Sequence, residues 1–255
     1  MIQTRVIPCL LLHNAGLVKT LRFKEPKYLG DPINIVRIFN DKEVDELVFL
    51  DITATPERKG PPFELLRKIA SECFMPLCYG GGVADIGTMK ALYKLGIEKV
   101  ALNTAAVRSP SIVSAASKEF GAQSVIVSID VKKKWLGGYE VFTHGGRRGS
   151  GMDPAEHARN MESEGAGEIL VNSIDRDGTM GGYDLELVRR VSGAVGIPVV
   201  ACGGAGSVGD LGLVVKEGGA SAAGAGSMFV FQGVHRAVLI SYPTQREIRE
   251  VFGLK

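Results

Sequence analysis

Residues 45–69 read DELVFLDITATPERKGPPFELLRKI, and residues 167–191 read GEILVNSIDRDGTMGGYDLELVRRV. Glu46 falls on Glu168, an offset of 122 residues, and the same offset lays residues 76–106 on residues 198–228. Because this period is about half of the 255-residue chain, it does not describe a solenoid of short units. The repeat instead predicts two related halves, each too open to close alone.

Short apolar runs alternate with amphipathic helical patterns along the whole chain. The runs lack a polar residue at every second position, as expected for strands that are covered on both faces. Helix starts are marked by Asp31-Pro32 and Asp153-Pro154, with Asp as N-cap and Pro in the first turn. The candidate strands are residues 5–11, 47–52, 76–80, 98–103, 124–130, 168–173, 197–202 and 220–225.

Eight strand-then-helix units predict an α/β fold with a parallel sheet. An open doubly wound sheet is the alternative, but two repeated four-unit halves favour closure into a (βα)8 TIM barrel. We expect residues 1–255 to form a single barrel domain.

Composition is that of an ordinary globular enzyme, with 45% hydrophobic residues, 23% charged residues and a formal net charge of +2. Such a balance gives no reason to expect nucleic acid or a membrane as partner. The apolar run after Val6 is too short for a secretion signal, so we expect a cytoplasmic protein. The four cysteines and four histidines show no metal-ligand spacing, and we predict neither a metal nor a cofactor.

Glycine clusters follow strands in both halves, at Gly81-Gly82 and Gly203-Gly204. In a barrel these positions lie at the carboxyl ends of the strands, where active sites form. Glycine lets backbone amides approach an oxyanion, so matched clusters favour two phosphate pockets over simple tight turns. The candidate phosphate-binding residues are Gly81, Gly82, Asn103, Thr104, Asp177, Gly178, Gly203, Gly204, Gly226 and Ser227.

Asp130 ends the fifth predicted strand after an apolar run, so its carboxylate is expected inside the mouth as a general acid or base. A capping role is the alternative. Within the repeat, residues 7–11 lie on residues 126–130, and Asp130 then meets Leu11, which cannot move a proton. Two long segments, 19–31 and 131–152, are predicted to be lids, the second as a hairpin insert. Lys19, at the root of the first segment, is a candidate clamp for an anionic ligand.

Charged residues stand at the opposite ends of four strands: Arg5, Glu46, Lys99 and Glu168. Their positions would allow them to meet at the barrel floor. Surface salt bridges are the default interpretation of such residues, and composition and spacing alone favour it.

The chain resembles the HisF family, the cyclase subunits of imidazole glycerol phosphate synthase. The resemblance rests on IPCL (7–10), GDP (30–32), DELVFLDITA (45–54), GGG (80–82), NTAA (103–106), GEIL (167–170), SIDRDGT (173–179), GYD (182–184) and GGAG (203–206). It implies a lyase of histidine biosynthesis with a phosphate site in each half. It also implies a HisH-like glutaminase bound to the floor as a heterodimer, and ammonia that passes through the barrel. On this resemblance Lys19 and Asp130 match catalytic positions, and the four charged residues match the gate of the ammonia channel.

The family has a second catalytic aspartate at position 11, where this chain has Leu in CLLL (9–12). IPCLLL (7–12), LVKT (17–20), FNDKEVDEL (39–47), SECFMPL (71–77) and SMFVFQG (227–233) resemble a paralogous HisF-like branch. That branch is associated with acetamidino modification of lipopolysaccharide sugars, beside a HisH-like glutaminase and an N-acetyl sugar amidotransferase. A working histidine cyclase, a non-catalytic channel that activates the glutaminase, and a sugar-phosphate isomerase are the alternatives. The isomerase is the weakest of them, because it too needs a carboxylate at position 11.

Overall fold

The computed structural model describes residues 4–233 and 235–253. Eight parallel strands pair in the order β10-β11-β12-β1-β4-β5-β6-β7, and β7 pairs with β10 to close the ring. The predicted (βα)8 barrel is therefore confirmed, and each of the eight predicted strands coincides with a barrel strand to within three residues at either end.

The strands are β1 (Arg5–His13), β2 (Gly16–Leu21), β3 (Lys24–Gly30), β4 (Leu47–Asp51), β5 (Leu77–Gly80), β6 (Lys99–Leu102), β7 (Val125–Lys133), β8 (Tyr139–Thr143), β9 (Arg148–Gly149), β10 (Glu168–Ser173), β11 (Val199–Cys202), β12 (Ala222–Ala225), β13 (Phe231–Gln232) and β14 (Ala237–Val238). The helices are α1 (Pro32–Asp41), α2 (Phe63–Glu72), α3 (Ile86–Lys94), α4 (Thr104–Arg108), α5 (Ser111–Phe120), α6 (Pro154–Ser163), α7 (Leu185–Ser192), α8 (Val208–Lys216), α9 (Ser227–Val230) and α10 (Gln245–Phe252).

Corresponding helices of the two half-barrels begin in the same way. Asp31 accepts from the backbone amides of the first turn of α1, and Asp153 does the same for α6, each with Pro at the start of the helix. These caps satisfy amides that have no partner within the helix. Helices α2 and α7, and helices α3 and α8, also begin 122 residues apart, so the repeat seen in the sequence is a repeat of structure.

A β-hairpin follows the first strand of each half. Strands β7 and β8 pair antiparallel around Gly137-Gly138, as predicted for segment 131–152. Segment 19–31 differs from the prediction of a loop, because most of it belongs to the antiparallel pair β2–β3, with β2 also paired to β1. Backbone hydrogen bonds therefore hold this segment to the mouth of the barrel.

Two apolar layers stabilise the fold. The outer one packs between strands and helices and contains large side chains such as Phe39, Phe49 and Tyr79, all fully buried. The inner one fills the barrel and combines aliphatic side chains such as Ile7 and Leu170 with smaller groups such as Cys9 and Ala101. Together these side chains keep the centre of the barrel apolar between its floor and its mouth.

Candidate active site

A cavity of about 1530 Å³ lies at the carboxyl ends of the barrel strands. Strands β1, β4 and β7 contribute Leu11, Leu50, Ser128 and Asp130 to its lining. Its walls come from the loops after β4, β5 and β6 and from the two hairpins. This is the end of the barrel where side chains from different strands converge on one ligand.

Asp130 lies at the base of this cavity and is only 9% exposed. Its Oδ2 accepts from Asn103 Nδ2 at 3.4 Å. Burial, together with the nearby carboxylate of Asp177, raises the pKa of Asp130 to about 7. A carboxyl group that titrates near neutral pH can both donate and accept a proton under working conditions.

Leu11 occupies the position in the first half that Asp130 holds in the second. Leu11 pairs with Leu50 on β4, while Asp130 pairs with Asn172 on β10. Leu50 and Asn172 are 122 residues apart, so the register equates Leu11 with Asp130, as the repeat in the sequence predicted. The side chain of Leu11 borders the cavity, which places an apolar group where a second carboxylate would complete a pair.

Lys19 reaches the base of the mouth from β2 and is buried. Its Nζ lies 2.8 Å from Asp177 Oδ1, and Thr20 Oγ1 donates to Asp177 Oδ2 at 2.8 Å. Burial lowers the pKa of Lys19, but the charge and hydrogen bond of Asp177 outweigh it, so the pKa is raised. Lys19 is therefore a fixed cation inside the barrel mouth.

The glycine cluster of the first half borders the cavity. Gly81 and Gly82 have φ angles of +129° and +68°, which favour glycine. A side chain at Gly81 would also meet the backbone of Asp51, at 2.6 Å from its carbonyl oxygen. Asn103 and Thr104 line the same side of the cavity. Four of the predicted phosphate-binding residues are thus together on one open wall.

In the second half, two of the corresponding residues, Gly178 and Gly226, lie against strand β2 of the β2–β3 hairpin. A methyl group on Gly226 would lie 3.0 Å from Lys19 Nζ, and one on Gly178 would lie 2.2 Å from the carbonyl oxygen of Thr20. Ser227 Oγ is buried, and within the described part of the chain it has no hydrogen-bond partner. Gly203, Gly204, Gly226 and Ser227 do not border the mouth cavity. Lys19 Nζ thus stands against the backbone of the second cluster.

The four charged residues at the other end of the barrel meet in a closed ring. Arg5 bonds to both Glu46 and Glu168, and Lys99 Nζ lies 2.8 Å from Glu46 and 3.3 Å from Glu168. Both glutamates are buried, so this is not the surface salt-bridge pattern that composition alone favoured. Burial lowers the pKa of Arg5, but the bonds to the two glutamates outweigh it and raise the pKa.

The interior between the ring and the mouth is lined by thiols and aliphatic groups. Cys9 and Cys202 contact each other, and that contact, followed by burial, raises the pKa of Cys9 well above its usual value. Thiols in such surroundings are unreactive. The four cysteines Cys9, Cys73, Cys78 and Cys202 are free.

The sequence alone did not predict that basic residues would line the rim of the mouth. Arg108, Arg147 and Arg148 border the cavity, as does His144, whose backbone N–H donates to Thr104 Oγ1 at 3.0 Å. Burial, and then the charges of Arg148 and Arg108, lower the pKa of His144. The run THGGRR at residues 143–148 was the available signal, but its place in a hairpin insert did not reveal which way the side chains point.

Within residues 4–233 and 235–253, no helix combines the length and the apolar character needed to cross a bilayer. The same residues contain no group of three or more His, Cys, Asp or Glu side chains placed to hold a metal ion.

Residues 5–235 match the family described as histidine biosynthesis protein. A protein of Pseudomonas aeruginosa, provisionally named imidazole glycerol phosphate synthase subunit hisF2, is 52% identical over 95% of this chain and 97% of its own length. A provisionally named HisF subunit of Leptospira interrogans is 44% identical over 99% of this chain and all of its own length. The imidazole glycerol phosphate synthase subunit HisF of Hyphomonas neptunium is 48% identical over 91% of each chain.

The chain belongs to the HisF family. As a HisF-family barrel it has the fold, the repeated halves and the closed charged floor described above. Its relatives include additional copies, such as the hisF2 protein of Pseudomonas aeruginosa and a hisF3 protein of Vibrio vulnificus.

Proposed function

We propose that this HisF-family barrel receives ammonia from a HisH-like glutaminase and binds a phosphorylated ligand at its mouth. We further propose that it is a paralogue serving acetamidino-sugar biosynthesis of the lipopolysaccharide type. On this proposal the barrel conducts ammonia to an N-acetyl sugar amidotransferase, or takes part in the transfer itself. The assignment to acetamidino-sugar biosynthesis rests on Leu11. This residue puts an apolar side chain at one of the two equivalent positions in the mouth where a catalytic carboxylate would lie.

Two carboxylates that could replace one at position 11 already accept hydrogen bonds from neighbouring groups. Asp51 stabilises the turn that follows β4. Its Oδ1 accepts from the N–H and the hydroxyl of Thr53 and from the N–H of Ala54. Asp175 accepts from the backbone N–H of Lys133 at 2.8 Å and does not border the cavity. A missing general acid or base costs about 10²–10⁴-fold in rate. Such a loss argues against the cyclase reaction as the main role.

The ammonia route is supported by the arrangement along the barrel axis. The ring of Arg5, Glu46, Lys99 and Glu168 closes the floor, where we propose that the glutaminase binds. Above it the apolar layer that includes Cys9, Cys78 and Ala101 leads to the cavity. A neutral molecule crosses an apolar passage more easily than an ion, because an isolated charge there loses its hydration.

The phosphorylated ligand is supported by the two glycine clusters and by cations around the mouth. Gly81, Gly82, Asn103 and Thr104 would hold one phosphate on the open wall. Asp177, Gly178, Gly203, Gly204, Gly226 and Ser227 would hold the second, with Lys19 close to it. Because Gly178 and Gly226 lie against the β2–β3 hairpin, we expect a ligand at this second cluster to move the hairpin and to replace Asp177 as the partner of Lys19.

A genuine cyclase of histidine biosynthesis is the second candidate. It is favoured by Asp130, by Lys19 and by the 48% identity to the HisF subunit of Hyphomonas neptunium. A non-catalytic channel that only activates the glutaminase is the third.

The deciding experiment supplies the purified protein with the phosphorylated aminoimidazole-carboxamide ribotide substrate and saturating ammonium at mildly alkaline pH. We expect no imidazole glycerol phosphate from the natural protein and measurable product from Leu11→Asp. Leu50→Asp is the matched control, since it adds a carboxylate to the same cavity on the neighbouring strand. Turnover at ordinary enzyme rates by the natural protein would instead establish the histidine cyclase.

A second assay tests the sugar branch. The barrel is mixed with its HisH-like glutaminase, an N-acetyl sugar amidotransferase and glutamine, and acetamidino product is measured by mass spectrometry. Product that requires the barrel supports the proposal. Glutamine hydrolysis that rises on mixing, without product from any combination, would favour the non-catalytic channel. A glutaminase that shows no stimulation on mixing would count against ammonia transfer altogether.

A further inference from the structure

A second cleft, of about 610 Å³, lies outside the barrel between the β7–β8 hairpin and helices α6 and α7. It shares no lining residue with the mouth cavity. A cleft of this size is in the range that encloses a small organic molecule. The proposed function gives no role to this cleft.

The wall of the cleft contains a buried polar group whose hydrogen bonding is incomplete. His157, on α6, is 3% exposed, and its Nε2 has no hydrogen-bond partner within the described residues. Burial lowers the pKa of His157 to about 4, so the ring is neutral at physiological pH. Native proteins seldom leave a buried ring nitrogen without a partner, because its desolvation is then uncompensated. The imidazole therefore has an unused hydrogen-bonding position beside the cleft. That position is itself buried, and a ligand reaches it only if the cleft wall shifts.

Opposite charges border the same cleft. Lys134 lies on the hairpin and Glu156 on α6, and neither forms an ion pair with any other residue that the structure describes. Arg190 and Asp153, which also border the cleft, neutralise each other at 2.7 Å. The backbone amides at the start of α6 are already bonded to Asp153, so they do not form an anion site. The charged side chains that remain available to a ligand are therefore Lys134 and Glu156, which lie on different walls of the cleft.

We propose that this cleft binds a free α-amino acid with an uncharged polar side chain. The ligand's carboxylate would bond to Lys134 and its ammonium group to Glu156. The polar side chain would reach His157 and the amide of Asn160, which also borders the cleft. Tyr139 and Met152 supply apolar contacts along the side of the ligand. An anion such as phosphate fits less well, because Glu156 would repel it.

The test uses free asparagine, glutamine and histidine as probes, with leucine as the apolar comparison. Isothermal titration calorimetry measures affinity, and ¹⁵N spectra of the imidazole groups report on His157 directly. We expect at least one polar probe to bind, to shift the His157 ring nitrogens and to bind about tenfold or more tightly than leucine.

Two variants locate the site. His157→Phe replaces the imidazole in the cleft wall with a ring that has no polar atom, and we expect it to abolish binding. Glu156→Gln changes an exposed side chain, should leave the fold intact and should weaken binding about tenfold or more. His235→Phe, at an exposed histidine elsewhere, is the matched control and should bind as the natural protein does.

The proposal is overturned if none of the polar probes gives heat or moves the His157 signals. It is equally overturned if binding is retained in both His157→Phe and Glu156→Gln, because the ligand then lies elsewhere. These outcomes do not depend on the reaction at the barrel mouth.

Discussion

Asp130 combines deep burial with a position at the base of the mouth. Its pKa of about 7 in the folded protein compares with about 3.9 in an unfolded chain. As pH rises from about 4 to 7, the unfolded state loses its proton first, so the folded state is progressively destabilised. The full difference above pH 7 is about 4 kcal/mol, an upper estimate.

We therefore predict that Asp130→Asn increases the free energy of unfolding at pH 8 but has little effect at pH 4. Urea denaturation at the two pH values measures this difference. Asp175→Asn is the control, since Asp175 is not buried and should show no such contrast. An Asp130→Asn variant with equal effects at pH 4 and pH 8 would mean that the pKa of Asp130 is the same in the folded and unfolded states, and would contradict the raised pKa.

The pair of positions 11 and 130 could be read from the sequence. Within the repeat, an offset of 119 residues lays Leu11 on Asp130, and the sheet register confirmed that the two positions correspond. The basic residues of the rim could not be read in the same way. Arg108, Arg147 and Arg148 come from a helix end and a hairpin, where side-chain direction depends on tertiary packing rather than on a period of two.

At the scale of secondary structure, the β2–β3 hairpin shows why one element was predicted wrongly. Its turn contains Arg22 and Phe23 with φ angles of +52° and +61°. Asn or Gly usually occupies such left-handed positions, so the sequence did not indicate a turn here. The β7–β8 hairpin carries Gly137-Gly138 and was predicted correctly. Pro26 also argues against a strand in the sequence, although β3 can contain it because β3 lies at an edge of the sheet.

The same hairpin depends on an ion pair that is buried. Lys19 and Asp177 have side chains only 7% and 4% exposed, so removing the lysine leaves a carboxylate without its cation. We predict that Lys19→Met destabilises the protein by about 3–5 kcal/mol. Chemical denaturation measures this loss, and amide hydrogen exchange should show it as faster opening of β2 and β3.

Lys24→Met is the matched control for this prediction. Lys24 is an exposed lysine of the same hairpin and forms no ion pair in the part of the chain that the structure describes. Its substitution should change stability by less than about 0.5 kcal/mol. Equal stability of the Lys19→Met and Lys24→Met variants would show that the buried pair does not hold the hairpin.

At the scale of the whole molecule, the barrel has polar machinery at both ends and an apolar centre. The floor ring consists of two cations and two buried glutamates, each glutamate bonded to both cations. Buried ion pairs often contribute little net stability, since the cost of desolvation offsets their attraction. Breaking one is costly nevertheless, because it leaves a charge uncompensated.

We predict that Arg5→Met lowers the free energy of unfolding by about 3–5 kcal/mol. Replacing all four charges together, as Arg5→Met, Glu46→Leu, Lys99→Met and Glu168→Leu, should restore stability to within about 1–2 kcal/mol of the natural protein. Urea denaturation of the two variants tests both values. If the apolar floor folds as stably as the natural one but no longer stimulates glutamine hydrolysis by the HisH-like subunit, the ring serves ammonia transfer rather than stability. If the four-fold variant is as unstable as Arg5→Met, the ring is needed to hold the barrel itself, and its role as a gate loses this support.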